Sequence, residues 1–182
     1  MSDDSISDHD LMQRVAHGDH GAFACLVRRH QTMVWRLACR FLGDPHDAED
    51  LTQEAFIRVL QAASRYRPVA AFPAYLTRIV CRLCIDVHRR KRPQLFPELP
   101  DLEDSDATPD ILAINQERAV AVQSALADLP PNQRLAMILR YYNDYSYREI
   151  AAVMEISEKA AERLLSRGRA RLAERLAGWF KV

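Results

Sequence analysis

The stretch EISEKAAERLLSRGRARL, residues 155–172, concentrates the side chains with the clearest chemistry. At helical spacing it carries two outward columns, Glu158, Glu162 and Ser166 beside Lys159, Arg163 and Arg167, and a cationic tail of Arg169, Arg171 and Arg175. Guanidinium groups at that density suit phosphate oxygens, and polar groups between them suit base edges. The residues just before supply a seat for such a helix. Ser146-Tyr147-Arg148-Glu149 fits a capping box. Ile150, Ala151 and Met154 then face inward, and Ala151 is small enough for a second helix to cross closely. Ile156 plugs the turn and Ser157 can cap the second helix, whose inward residues are Ala160, Ala161, Leu164, Leu165 and Leu172. This is the pattern of a DNA-binding helix-turn-helix. A hairpin of two helices with a solvated charged face satisfies the same residues.

Cys81-x-x-Cys84 with His88 four residues on would put three metal ligands along one helical face. Zinc wants a fourth, and none is near in sequence, so buried thiols are the expectation and no metal or other cofactor is assigned. Cys25 and Cys39 sit on apolar faces and read as core. There is no Gly-rich phosphate loop, HExxH or nucleophile elbow, so no catalytic residue and no enzymatic activity is expected.

The elements that must carry these residues read as helices throughout. Phe23, Leu26, Val27, Val34, Leu37, Ala38 and Phe41 repeat at spacings of three and four, one buried helical face. Gly43 ends that helix, Asp44 caps the next and Pro45 suits its first position. Leu51, Ala55, Ile57, Val59 and Leu60 continue it to a stop near residues 66–68. A further helix runs from about Ala71 to Arg92, with Pro73 tolerable in its first turn. Residues 93–107 hold three prolines and five acids and read as an extended linker. Thr108 caps a helix opening at Pro109, and 128–134 breaks before LAMILRYY. The expected architecture is all-α, with two helical domains: 1–92, an acidic connection over 93–117, and 118–182.

Charge follows the same division. The chain has 182 residues with 25 basic and 25 acidic side chains, a formal charge of zero. Residues 1–92 hold 14 basic and 11 acidic residues, 93–117 hold none and seven, and 118–182 hold 11 and seven. Two mildly basic blocks flank an acidic spacer, so the neutral total averages unlike parts. No run of 18 apolar residues suggests a membrane span, and the first 20 residues lack the apolar core of a signal peptide. A cytoplasmic protein with reduced thiols is expected.

GDHGAFACLVRRHQTMVWRLACRFLGDPHDAEDLTQEAFIRVLQAASRYRP with FPAYLTRIVCRLCIDVHRRKR closely resembles domain 2 of bacterial sigma factors of the extracytoplasmic-function type. ALADLPPNQRLAMILRYYNDYSYREIAAVMEISEKAAERLLSRGRARL resembles their domain 4. The likeness covers roughly residues 8–92 and 118–176, and GDPHDAEDLTQEAF is its most specific run.

That resemblance implies an alternative sigma factor that binds core RNA polymerase, through its β′ and β subunits, and directs initiation at promoter DNA. Asp47, Asp50, Gln53 and Glu54 would meet a coiled coil of β′, although acids there also compensate a helix N-terminus. Tyr66, Phe72 and Tyr75 would stack on bases at the −10 element, while Arg78, Arg82, Arg89 and Arg90, with Lys91 and Arg92, hold the strand. Core packing is the other use of these aromatics. Lys159, Glu162, Arg163, Ser166, Arg167 and Arg169 would meet the −35 element. The acidic linker would thread near the polymerase active centre, or serve only as a spacer. An anti-sigma factor is the implied regulator.

The departures carry information. Tyr75 stands where the family usually has Trp, which keeps a large ring. Arg82 stands where it usually has Asn, and Arg cannot accept a hydrogen bond. Glu162 stands where Lys or Arg is common, and Lys159-Ala160 where Gly-Thr is common. A carboxylate accepts from a cytosine amino group, so a different −35 sequence is expected. The competing expectation is an ordinary helix-turn-helix regulator acting on duplex DNA without polymerase. Such a regulator has no use for the DAEDLTQEAF helix.

Overall fold

The structure, a computed structural model, describes residues 6–90 and 109–178, with side chains in the second span from residue 117. The 93–107 linker, Thr108, Lys91 and Arg92 lie outside the described residues. Among those described there are eight α-helices, one 3-10 turn and no strand. They are α1 (Asp8–Ala16), α2 (His20–Leu42), α3 (Pro45–Ala62), α4 (Phe72–Arg90), α5 (Pro109–Ala127), α6 (Pro131–Tyr142), α7 (Tyr147–Met154) and α8 (Glu158–Arg175), with the 3-10 turn at Ala63–Arg65.

Local signals set these boundaries. Asp19 and Asp44 accept from the backbone N–H groups of Ala22 and Asp47, capping α2 and α3. Gly43 takes the left-handed conformation, φ 78°, and its N–H closes α2 onto the Cys39 carbonyl. Only Asp144 and Glu155 among the described non-glycine residues share that positive φ, each at 56°.

The acidic opening of the chain hides α1, which the sequence pattern does not single out. Leu11, Met12 and Val15 are its buried face. Asp8 ties it to α2, accepting from Arg29 at 2.8 Å and pairing with His30 Nε2 at 2.8 Å. Helices α2, α3 and α4 then pack around Val34, Leu37, Phe41, Leu51, Phe56, Leu76 and Val80, all buried.

The second group, α5–α8, closes around Leu135, Ile138, Leu139, Ile150 and Leu165. Gly168 is where α8 meets α6: a Cβ there would stand 2.9 Å from Met137 Cγ. The two groups share one core. Arg134 of α6, 4% exposed, donates to the Leu126 carbonyl of α5 and the Phe41 carbonyl of α2, each at 2.8 Å, and to the Ala127 carbonyl. Three carbonyls at helix C-termini thus face one guanidinium, the arrangement a helix dipole favours for a cation. Gln123 donates to the Arg40 carbonyl at 2.9 Å, and the Arg40 guanidinium lies 4.3 Å over the Tyr142 ring.

Candidate nucleic-acid interface

Helices α7 and α8 form the helix-turn-helix. Ser146 Oγ accepts from the Glu149 N–H at 3.2 Å, and Glu149 accepts from the Ser146 N–H at 2.8 Å. The Ser146 hydroxyl also donates to the Glu149 carboxylate at 2.7 Å, and that bond first and the backbone one second hold the Glu149 carboxyl below its usual range. Ile150, Ala151 and Val153 are buried from α7, and Ala161, Leu165 and Gly168 from α8. Met154, Ile156, Ala160, Leu164 and Leu172 are half-buried beside them. Ser157 caps α8 by accepting from the Ala160 N–H at 3.2 Å.

The opposite face of α8 is open. Lys159, Glu162, Arg163, Ser166, Arg167 and Arg169 are all exposed. Two of the cations expected along α8 are held at home. Arg169 donates to the Tyr147 hydroxyl at 3.3 Å, which raises its pKa. Arg175 pairs with Asp128.

On α4 the expected residues divide. Phe72 is 3% exposed, with its ring 5.1 Å from His30, 6.3 Å from Tyr66 and 6.2 Å from Tyr75. The base-stacking expectation for Phe72 is corrected: at the start of α4 its ring points into the bundle, and it is a core residue. Tyr66 and Tyr75 are half-buried and stacked edge to face at 5.0 Å. Burial first, and for Tyr66 the neighbouring Tyr75, pushes their phenol pKa values up. Arg89 and Arg90 are exposed in the last turn, where they also complement the helix C-terminus.

Arg78 and Arg82 point at α7. Arg82 donates to Glu155 through Nε at 3.2 Å and Nη2 at 2.5 Å. Arg78 donates to the Ala152 carbonyl at 3.3 Å and lies 4.0 Å from the same carboxylate. The Thr77 and Tyr145 hydroxyls meet at 2.9 Å. Glu155, Tyr145 and Thr77 carry no mark in the sequence. Their partners lie about 70 positions away in the chain, and no local periodicity encodes such pairs.

On α3, Asp50 and Gln53 are exposed, Asp47 and Glu54 half-buried. Glu54 pairs with Arg58 at 2.8 Å one helical turn on. Beside this face Gln31, Thr32 and Trp35 of α2 with Glu49, Thr52 and Gln53 of α3 line an open groove of about 340 Å³. The half-buried Trp35 there went unmarked because an apolar stripe accounts for it equally well.

All four cysteines are buried thiols. Burial pushes Cys81 up to about 12 and Cys39 to about 11, and raises Cys84 well above its usual value. His88, its ring 6.2 Å from Phe41, has its pKa lowered by burial and then by Arg134. Among the described residues no cluster of three His, Cys, Asp or Glu side chains is placed to hold a metal. No described helix is long and apolar enough to cross a membrane.

This all-α frame, with a helix-turn-helix at α7–α8 and an acidic helix at α3, has relatives. Residues 26–94 match the family described as Sigma-70 region 2, and residues 119–172 match Sigma-70, region 4. The chain is 37% identical over 169 residues to the ECF RNA polymerase sigma factor SigE of Mycolicibacterium smegmatis, covering 89% of this chain and 65% of that protein. It is 36% identical over 176 residues to the ECF RNA polymerase sigma factor SigM of Mycobacterium tuberculosis, covering 97% of this chain and 87% of that protein. Among solved structures, CnrH in complex with the cytosolic domain of CnrY matches with a TM-score of 0.71 and 27% identity, over 94% of this chain and 97% of that one. The chain belongs to the ECF sigma factors of the sigma-70 family. It is accordingly an alternative sigma factor, directing transcription initiation by RNA polymerase.

Proposed function

We propose a division of that activity among the surfaces of the molecule. The exposed face of α8, from Lys159 through Glu162, Arg163, Ser166 and Arg167 to Arg169, reads the −35 element in the major groove. Helix α4 handles the −10 element: Tyr66 and Tyr75 offer ring faces to unpaired bases, and Arg78, Arg82, Arg89 and Arg90 hold the backbone. Phe72 supports these rings from the core. Helix α3 docks on the β′ subunit through Asp47, Asp50, Gln53 and Glu54, with the adjoining Trp35 groove inside the same footprint. The work divides along the chain as 1–92, 93–117 and 118–182.

The protein acts as a regulatory subunit in the cytoplasm, contributing binding energy to promoter opening and no catalytic group. An anti-sigma factor restrains it, as the cytosolic domain of CnrY accompanies CnrH. The observation that carries this reading is the open face of α8 on a capped, tightly crossed helix-turn-helix. Charge reversal on the acidic helix tests it. Asp50→Lys is expected to weaken binding to core polymerase at least about tenfold, since like charges at an interface cost several kcal/mol. Binding of duplex promoter DNA by α8 should be unchanged in that variant. Equal core affinity in Asp50→Lys and the natural chain would remove Asp50, and with it this face of α3, from the polymerase-binding surface.

A further inference from the structure

The cations of α4 have a ligand in this structure, supplied by the chain itself. Glu155 stands in the turn of the helix-turn-helix at φ 56°, an uncommon backbone for a side chain of its length. That conformation ends α7 and leaves the carboxylate against α4. Arg82 grips it twice, at 3.2 and 2.5 Å, and Arg78 reaches it at 4.0 Å while donating to the Ala152 carbonyl at 3.3 Å. A carboxylate oxygen and a carbonyl at the negative end of a helix are what a phosphodiester would offer the same two guanidinium groups. The Thr77–Tyr145 hydroxyl pair at 2.9 Å and the Arg134 bond to Phe41 at 2.8 Å also join the two helix groups.

The contact is incompatible with engagement of both promoter elements. The −35 and −10 elements lie about 25 base pairs apart, on the order of 85 Å at 3.4 Å per base pair. Here the turn that opens the −35 helix touches the −10 cations directly. Glu162 lies only about 6 Å of helix beyond Glu158, where α8 begins three residues after Glu155, at about 1.5 Å per residue.

We infer that Glu155 is an internal nucleic-acid mimic: it occupies Arg78 and Arg82 in a closed form of the free chain, holding the −35 unit over the −10 surface until polymerase binding separates them. This rests on the assignment of α4 to DNA under the proposed function. Polymerase opens the chain only so far as it binds the open form better. Exposure keeps the lock weak. Glu155 and Arg82 side chains are 47% and 59% exposed, and a pair in that setting shifts an equilibrium about two- to fivefold.

Full-length Glu155→Gln, Tyr145→Phe and the double variant test it, with Glu158→Gln as a control that removes the same charge three residues away. Two readouts apply: the radius of gyration by small-angle X-ray scattering, and anisotropy of a fluorescein-labelled random-sequence single strand of about 20 nucleotides at low salt. Glu155→Gln is expected to expand the particle and bind the strand about two- to fivefold more tightly, the double variant more so, and Glu158→Gln to match the natural chain in size. Circular dichroism should show unchanged helix content in each. Unchanged size and equal strand affinity in Glu155→Gln and the double variant overturn the lock. Equal gains in Glu155→Gln and Glu158→Gln also overturn it, reducing the effect to net charge. Expansion with no strand bound by any variant overturns the mimicry through failure of the α4 assignment, which the scattering result keeps distinct.

Discussion

Arg134 donates to the carbonyl of Phe41, 93 positions earlier, at 2.8 Å. This bond and those to Leu126 and Ala127 leave the guanidinium surrounded by carbonyls, with no carboxylate bonded to it among the described residues. Burial lowers its pKa, with Asp128 and Cys84 pulling the other way. Arg134→Met keeps the volume and removes every donor, so the helix ends lose their partners. It is expected to cost roughly 2–3 kcal/mol in urea denaturation, the upper part of the about 1–3 kcal/mol for a deserted buried polar group, because several carbonyls lose their donor together. A loss below about 0.5 kcal/mol would mean that water replaces the guanidinium without penalty.

Gly168 tests the helix crossing. An added Cβ would meet Met137 at 2.9 Å from Cγ and 3.0 Å from Sδ, both in a flexible side chain. For Gly168→Ala the helix gain of about 1 kcal/mol opposes that displacement. Its stability should lie within about 1 kcal/mol of the natural chain. Gly168→Leu has no such room and should destabilise by about 1–3 kcal/mol. Thermal melts of the two variants distinguish these outcomes.

The α7 capping box has a pH signature. Ser146→Ala is expected to lower stability by about 1 kcal/mol. The Glu149 carboxyl is held below its ordinary 4.5 by the Ser146 hydroxyl and then its backbone. A depressed carboxyl stabilises the fold above its unfolded value and loses that contribution as pH falls through the folded one. The stability gap between the natural chain and Glu149→Gln should therefore be constant near neutrality and narrow below about pH 4.5. Urea midpoints measured from neutral pH down into the acid range would show it.

The thiols should be silent in the native state. Cys81 at about 12 and Cys39 at about 11 present almost no thiolate at about pH 8, and all four side chains are buried. A disulfide reagent is expected to label none within minutes at that pH and all four after denaturation. Rapid labelling of Cys81 or Cys84 in the native chain would contradict the buried setting of α4.

Much of this frame is legible in the sequence because local rules produce it. The Asp44 and Ser157 caps, the Gly43 stop and the Ser146–Glu149 box each depend on residues within four positions, and each occurs where the pattern places it. Helix α1 escapes because three buried side chains in a nine-residue helix are too few to outweigh an acidic, polar context. Phe72 misleads because an aromatic at a helix start carries no sign of which way it faces. The Arg82–Glu155 pair and the Arg134 bond to Phe41 depend on how two helix groups meet, and nothing within a helical turn of any of these residues signals it.

The carboxylate on the reading face gives the sharpest promoter-level expectation. Glu162 is exposed on α8. Glu162→Arg is expected to shift the preferred −35 sequence at one base pair, with discrimination of about 1–3 kcal/mol. Selection of −35 variants from a randomised promoter pool would register the change. Identical selected sequences would remove Glu162 from the base-contacting set.

Run-off transcription from a randomised promoter library, with core polymerase alone and with this chain added, tests the sigma-factor activity most directly. Promoter-dependent transcripts should appear only when the chain is present. Their templates should share −35 and −10 elements about 25 base pairs apart, the separation that forbids the closed Arg82–Glu155 contact on the promoter. Asp50→Lys should reduce those transcripts in line with its weaker core binding. No promoter-dependent transcript, together with no binding to core polymerase, would contradict that activity.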